Sequence, residues 1–409
     1  MKLLAFSKQT DWISAEKGGR YVIMKKILAM MLALVMTLSL AACGGPAKNP
    51  PATEKPGAET SAPANEGGLP YEGHTLYVAN WQGYNSDQAY CEKAFEDATG
   101  AQVEHVYFNS YDELMTTLLT GGNKTIDAVV LSNNYTQWFH DDGLISDLDA
   151  SKLPNYEKIA DVYKDQAPYA VDDAGSLFAV PWCNGTSSIA YNPDYVDFEI
   201  EHWSDLLDPR LKGHVMVLNG DGDSWVIGCL LAGEDSNDIE NADIEKVRAS
   251  LNELKGQLLG FWSTNDEQIM PWMAGDFWAG EIWSGPYSQL LHDSSTNIKL
   301  VHPEEGTVGF IDYWAIVEGT DEQDLAYEWL NWIMSTEQQT SMATGVSEAY
   351  PGEYMTYTPV NAEVIEALTP EQKIDLQLDP MPTIIKLLPY IADPAVKDQW
   401  VDLYQEFVS

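Results

Sequence analysis

From residue 76 onward, short apolar runs alternate with segments whose apolar residues recur at helical spacing. Leu76, Tyr77, Val78 and Ala79 predict a strand ending at Asn80 and Trp81. Across residues 87–99, Tyr90, Ala94, Phe95 and Ala98 lie at helical spacing, and Gly100 supplies a stop. Residues 102–107 predict a second strand. Ser110 with Glu113 forms a capping-box signature for a helix carrying Leu114, Leu118 and Leu119 inward, stopped at Gly121. Residues 126–131 form a third, nearly continuous apolar strand, the pattern of a parallel strand covered on both faces. The βαβαβ order predicts a parallel sheet sandwiched by helices. Ligands of such sheets bind beyond the carboxyl ends of the strands, which brings residues 81–84 and 132–135 to one crevice. No glycine-rich phosphate loop stands at either position, which disfavours a nucleotide.

Upstream the pattern changes. Lys25 and Lys26 precede an apolar run over residues 27–40, which leads into Leu40, Ala41, Ala42, Cys43 and Gly44. These are the basic, apolar and cleavage regions of a secretory signal, and the run is shorter than the ~20 apolar residues of a spanning helix. A start at Met24 gives a compact signal. Leu-Ala-Ala-Cys resembles the lipobox of bacterial lipoproteins, which implies a lipidated N-terminus at Cys43 and an extracytoplasmic location on the membrane. Residues 44–73 are rich in Pro, Gly, Ala, Glu, Ser and Thr and hold too little apolar surface to offset ordering, so they predict a disordered tether.

The chain has 409 residues and a formal charge of -41. The first 43 residues contribute Lys2, Lys8, Lys17, Arg20, Lys25 and Lys26 against Asp11 and Glu16, so without them the charge is -45. Such a surface repels nucleic acid and attracts cations. The roughly 366 residues after Cys43 suffice for two domains. Besides Cys43 there are Cys91, Cys183 and Cys229, with no CxxC, which argues against a disulfide framework or a zinc site. Asn219, Asp221 and Asp223 have the first three spacings of a calcium loop, but Ser224 and Leu230 replace its glycine and terminal glutamate, so no metal is expected. GxSxG and HExxH are absent and the histidines are isolated, so an exported hydrolase is disfavoured and no cofactor is expected.

Over residues 75–405 the chain resembles solute-binding proteins of ABC importers, in the spermidine/putrescine-binding branch. The patterns that carry this are Asn80-Trp81-Gln82-Gly83-Tyr84, residues 129–135, Val180-Pro181-Trp182 followed by Gly185-Thr186, and residues 189–192. Trp203-Ser204-Asp205-Leu206, Lys212 with Gly213, residues 280–285 and Phe310-Ile311-Asp312 follow in the family's order. The resemblance implies a type II periplasmic-binding-protein-like α/β fold of two lobes joined by crossing hinge strands. Lobe one is expected at 74–182 plus 311–364 and lobe two at 183–310 plus 365–409. It also implies no enzymatic activity, an ABC permease as partner and a monomer that closes on its solute by a hinge.

A polyamine needs aromatic faces for its methylenes and cations, and carboxylates for its ammonium groups. The resemblance assigns Trp81, Tyr84, Ser132 and Asn134 to the first wall, with Asp312 gripping an ammonium and Phe310 where the family often has Trp. It assigns Trp283, Asp221 and Asp223 to the opposite wall, and Tyr357 as a further aromatic. Pro286 replaces a second acid of putrescine-binding relatives, Asn134 replaces an aromatic hydroxyl, and Gln82 and Gly83 replace residues that are often hydroxyl or acidic. The solute expected is therefore a polyamine or a related small cationic amine. A sugar is the rival solute, because tryptophan platforms also suit sugars. Trp329 and Trp332 read as core, while Trp262, Trp272 and Trp278 fit either wall or core.

Overall fold

The computed structural model describes residues 68–409 other than 109, 165–167 and 353. The leader, Cys43 and the tether up to residue 67 lie outside the described residues. Residues 69–73, at the end of the expected tether, form a turn fastened by the Tyr71 amide to the Thr99 carbonyl at 2.9 Å.

The first unit follows the apolar pattern. Strands β1 (Thr75–Asn80), β2 (Gln102–Tyr107) and β3 (Ala128–Ser132) pair in parallel, with the helices Glu92–Thr99 and Tyr111–Leu119 as crossovers. The first helix starts later than its apolar spacing suggests, because residues 85–91 form turns. Ser110 caps the second by accepting from the Glu113 amide at 3.2 Å. β3 is central, and residues 128–131 are fully buried; β2, at the sheet edge, alternates between covered and exposed positions.

Two long strands then carry the chain between cores. β4 (Val180–Tyr191) pairs with β9 (Thr307–Ile316) through its first half, and with β7 (Ala279–Trp283) and β8 (Lys299–Val301) through its second. β9 is antiparallel to β3, with Ser132 opposite Asp312. Along β4, Cys183 packs in the core of the first unit and Ile189 in that of the second; along β9, Val308 packs in the second and Ile311 in the first. The second unit repeats the parallel logic: β5 (Val215–Leu218) lies between β6 (Leu258–Trp262) and β7. The whole order is β2-β1-β3-β9-β4-β7-β5-β6, with β10 (Thr358–Pro359) added to β4 and β11 (Ile385–Leu387) to β9. This is the two-lobed α/β architecture the resemblance implies; the carboxyl ends of β1, β3, β5 and β7 carry Trp81, Tyr84, Ser132, Asn134, Asp221, Asp223 and Trp283, while Phe310 and Asp312 lie on β9 and Tyr357 just before β10.

Asp221 and Asp223 occupy the first turn of the helix Asp221–Ala232, which buries almost its whole circumference. A helix that is apolar all round belongs in a core, and its two acids sit at the positive end of its dipole. Trp262 and Trp272 are core residues, Trp278 stacks on His214 at 3.5 Å, and Trp329 is fully buried. Trp332 is partly buried, its indole donating to the Cys91 carbonyl at 3.1 Å. Cys91, Cys183 and Cys229 are buried free thiols.

Candidate functional site

Asp312 is the centre of the first cluster. It lies on β9 beside Ser132 and Cys183 in register, and it is 4 % exposed. The hydroxyls of Tyr84 and Ser132 donate to its two carboxylate oxygens. Burial pushes the Asp312 carboxyl above its ordinary value, and the two hydroxyl donors pull only partly against that. Burial and the Asp312 charge push the Tyr84 phenol far up, so it remains a donor. Tyr84 is held edge-on between Trp182 at 5.3 Å and Tyr357 at 5.0 Å. Its hydroxyl also lies 3.6 Å from the Cys183 thiol.

The aromatic wall is longer than expected. Trp81 packs on Phe108 at 4.3 Å and on Tyr111 at 5.4 Å, Tyr111 meets Tyr135 at 4.2 Å, and Tyr135 meets Trp138 at 5.4 Å. Tyr111 holds the end of β3 in place by accepting from the Ser132 amide at 2.8 Å. Phe310 stands on the same face of β9 as Asp312. Its ring lies over Gly185, where an added Cβ would approach it to 2.4 Å, so glycine is required for that close approach.

Asp223 centres the second cluster. It is 7 % exposed and accepts from Ser187 at 3.1 Å; Ser187 is the register partner of Trp283. Trp283 crosses Trp262 edge-on at 4.6 Å and takes its amide partner from Gln268 at 3.1 Å. Glu281, wholly buried on β7, faces Asp223 and accepts from the Leu218 amide at 2.7 Å. Burial and the neighbouring Asp223 charge drive Glu281 well above the usual carboxylate range, and burial pushes Asp223 up to about 6, so the pair binds protons more readily than two free carboxyls.

The two clusters approach each other. Asp221 accepts from the Tyr135 hydroxyl at 3.3 Å, and burial raises its carboxyl. Asn134 is 3 % exposed, its amide oxygen has no hydrogen-bond partner, and its nitrogen lies 3.5 Å from where a Cβ on Gly222 would stand. Tyr84, Ser132, Asp312 and Tyr357 thus form one group, with Phe310 on the same strand and Trp81 along the wall. Asp223 and Trp283 form another around Ser187, and Asn134 and Asp221 lie between. Pro286 is buried in the first turn of the helix Ser284–His292.

Sequence reasoning missed Tyr111, Cys183, Ser187 and Glu281 as parts of this arrangement. Glu281 did leave a signal: a lone acid inside the apolar strand Ala279–Trp283 needs a partner or a proton. Its titration makes a prediction. Its folded value lies above the ~4.3 of an unfolded glutamate, so the stability present below that pH is lost as pH rises toward the folded value. Glu281→Gln should flatten this decline. Thermal melts from pH 5 to 8 should show the variant gaining on the parent by up to ~1.4 kcal/mol per pH unit; parallel curves would refute the raised Glu281 titration.

A family model described as "Bacterial extracellular solute-binding protein" matches residues 92–375. The chain is 25 % identical over 367 residues to spermidine/putrescine-binding periplasmic protein 1 of Haemophilus influenzae, covering 89 % of this chain and 93 % of that one. It is 26 % identical over 317 residues to the spermidine/putrescine-binding periplasmic protein of Escherichia coli, covering 77 % and 86 %. In fold it matches the crystal structure of the spermidine/putrescine ABC transporter substrate-binding protein PotD of Streptococcus pneumoniae with TM-score 0.67 and 25 % identity, over 82 % of this chain and 98 % of that one. With most of its length matched to the family model, the chain belongs to the bacterial extracellular solute-binding proteins.

Proposed function

We propose that this protein captures a polyamine, or a related small cationic amine, for an ABC importer and delivers it to the membrane permease. The observation that carries the reading is Asp312. A carboxylate is buried at the strand ends, held by two hydroxyl donors and flanked by aromatic faces, an arrangement suited to an ammonium group. Asp221 and Asp223 supply the second charge, on the opposite wall. Relatives run the same way, among them a putrescine/cadaverine-binding protein of Pseudomonas aeruginosa. Hydrogen bonds to charged groups at about 1.5–3 kcal/mol each, with cation–π contacts of about 1–2, reach the roughly -8 kcal/mol of a micromolar complex.

In this reading residues 74–182 with 311–364, and 183–310 with 365–409, are lobes that close about β4 and β9. The change of core between Cys183 and Ile189, and between Val308 and Ile311, supports it. Lipid on Cys43 would hold the binder beside its permease at high effective concentration. No helix among the described residues is long and apolar enough to cross a membrane.

One experiment addresses these claims together. The full chain should fractionate with membranes, and Cys43→Ala should release it in soluble form. Calorimetry of that soluble protein against putrescine, spermidine, amino acids and oligosaccharides should show micromolar binding of an amine, with a fall in radius of gyration on saturation. Oligosaccharide binding without amine binding would overturn the solute class, and a soluble parent would overturn the anchor.

A further inference from the structure

The aromatic wall does not end at the carboxylates. It runs on from Tyr135 to Trp138, and there it meets a cation belonging to the protein. The C-terminal helix Pro394–Val408 places the Lys397 Nζ 3.0 Å from the centroid of the Trp138 ring and 5.8 Å from that of Tyr135. Lys397 is half-buried, and the charges of Asp112, Asp221, Asp398 and Asp142 all act on it. Tyr135 links this cage to the site, because its hydroxyl donates to Asp221 at 3.3 Å.

The segment that leads to the lysine is fastened to the helix that carries Trp138. Trp138 donates from its indole to the Ile391 carbonyl at 3.1 Å, Tyr390 donates to Asp141 at 3.1 Å, and Asn133 donates to the Leu388 carbonyl at 2.6 Å. These bonds fasten the segment leading into the C-terminal helix onto the helix Asn133–Asp141, the element that begins at the end of β3. A cation over an aromatic face, near carboxylates, is the environment that an amine ligand needs. Here it is filled from within the chain.

We propose that Lys397 is a built-in occupant of an ammonium subsite at the far end of the amine crevice, and that it sets the length of amine accepted. With this position taken, the carboxylates left to the ligand are Asp312 at one end and the Asp223 group at the other, which suits a diamine over a longer polyamine. The length limit rests on the amine reading above; the cation position itself rests on the cage geometry.

Lys397→Ala in the full chain removes three methylenes and the ammonium, the shape of n-propylammonium. Millimolar n-propylammonium should raise the melting temperature of the variant, and change its tryptophan fluorescence through Trp138, by more than it does in the parent, whose Asp312 site both proteins share; n-propanol should do neither. In calorimetry the ratio of spermidine to putrescine affinity should rise about tenfold in the variant, the scale of one desolvated cation–π contact. Lys397→Arg should keep the parental ratio. Lys397→Met, which retains the alkyl packing, should raise it even if the alanine variant folds poorly. A variant response to n-propylammonium no larger than the parent's overturns the subsite. A response with an unchanged ratio in both neutral variants overturns the length limit. A response in a protein that binds no polyamine overturns the length limit and the solute class, and supports the cation position alone.

Discussion

Asp312→Asn should weaken amine binding by roughly 30- to 1000-fold, the cost of about 2–4 kcal/mol when one partner of a buried charged contact is removed. The same change should leave the melting temperature of the free protein unchanged or raise it. Both follow from one arrangement. In the free protein the Asp312 carboxylate is buried, with hydroxyl donors from Tyr84 and Ser132 but no cation contributing to its environment among the described residues. Burial raises its carboxyl, so the charge is costly until it meets the cation that the proposed function brings. The asparagine keeps the shape, accepts from one hydroxyl and donates to the other, and it removes that cost. A site that sacrifices stability for binding shows this opposition. Calorimetry and thermal melts on one preparation check both arms. Unchanged affinity would remove Asp312 from the site, and a large fall in melting temperature would make it a structural residue.

The contrast between legible and hidden features follows from distance along the chain. The opening βαβαβ unit was readable because strand and helix periods, the Ser110 cap and the Gly100 stop are all local signals. Residues 102–107 and the buried third strand read almost to the residue. The crossing of β4 and β9 entered only through the family resemblance, since each strand is a continuous apolar run that says nothing about which core each half joins. Nothing local marked Asp221 and Asp223 as a helix start, because Gly220 and Gly222 interrupt the pattern; what makes them one is the apolar run after Ser224, buried on every side. Glu281 was passed over inside its motif, because its partner Asp223 is 58 positions earlier and only the fold brings them together. Lys397 was invisible for the same reason. Nothing in residues 394–408 indicates that Trp138 lies beneath them.

Trp182→Ala should destabilise the protein by about 3–5 kcal/mol and reduce amine affinity as well, because one ring serves both the core and the site. Trp182 is fully buried at the start of β4. It stands edge-on to Tyr84 at 5.3 Å on one side and to Trp314 at 5.8 Å on the other. Trp314 continues to Trp329 at 5.6 Å and Trp329 to Phe95 at 5.1 Å, so a column of edge-to-face rings runs from the Asp312 cluster into the centre of the first core. Such pairs add about 0.5–1.5 kcal/mol each beyond burial. Removing the ring leaves a cavity beneath Tyr84, whose hydroxyl must stay aimed at Asp312 for the carboxylate to be ready for an ammonium. A rotated Tyr84 would lose that preorganisation, so affinity should fall even well below the melting temperature. Trp182→Phe, which retains an aromatic edge in a smaller volume, should recover most of the affinity while restoring only part of the stability. Denaturant titration paired with calorimetry separates the two effects. If the alanine variant binds amines as tightly as the parent despite its lost stability, Tyr84 is positioned by Tyr357 and Asp312 alone, and the column belongs to the core without reaching the site.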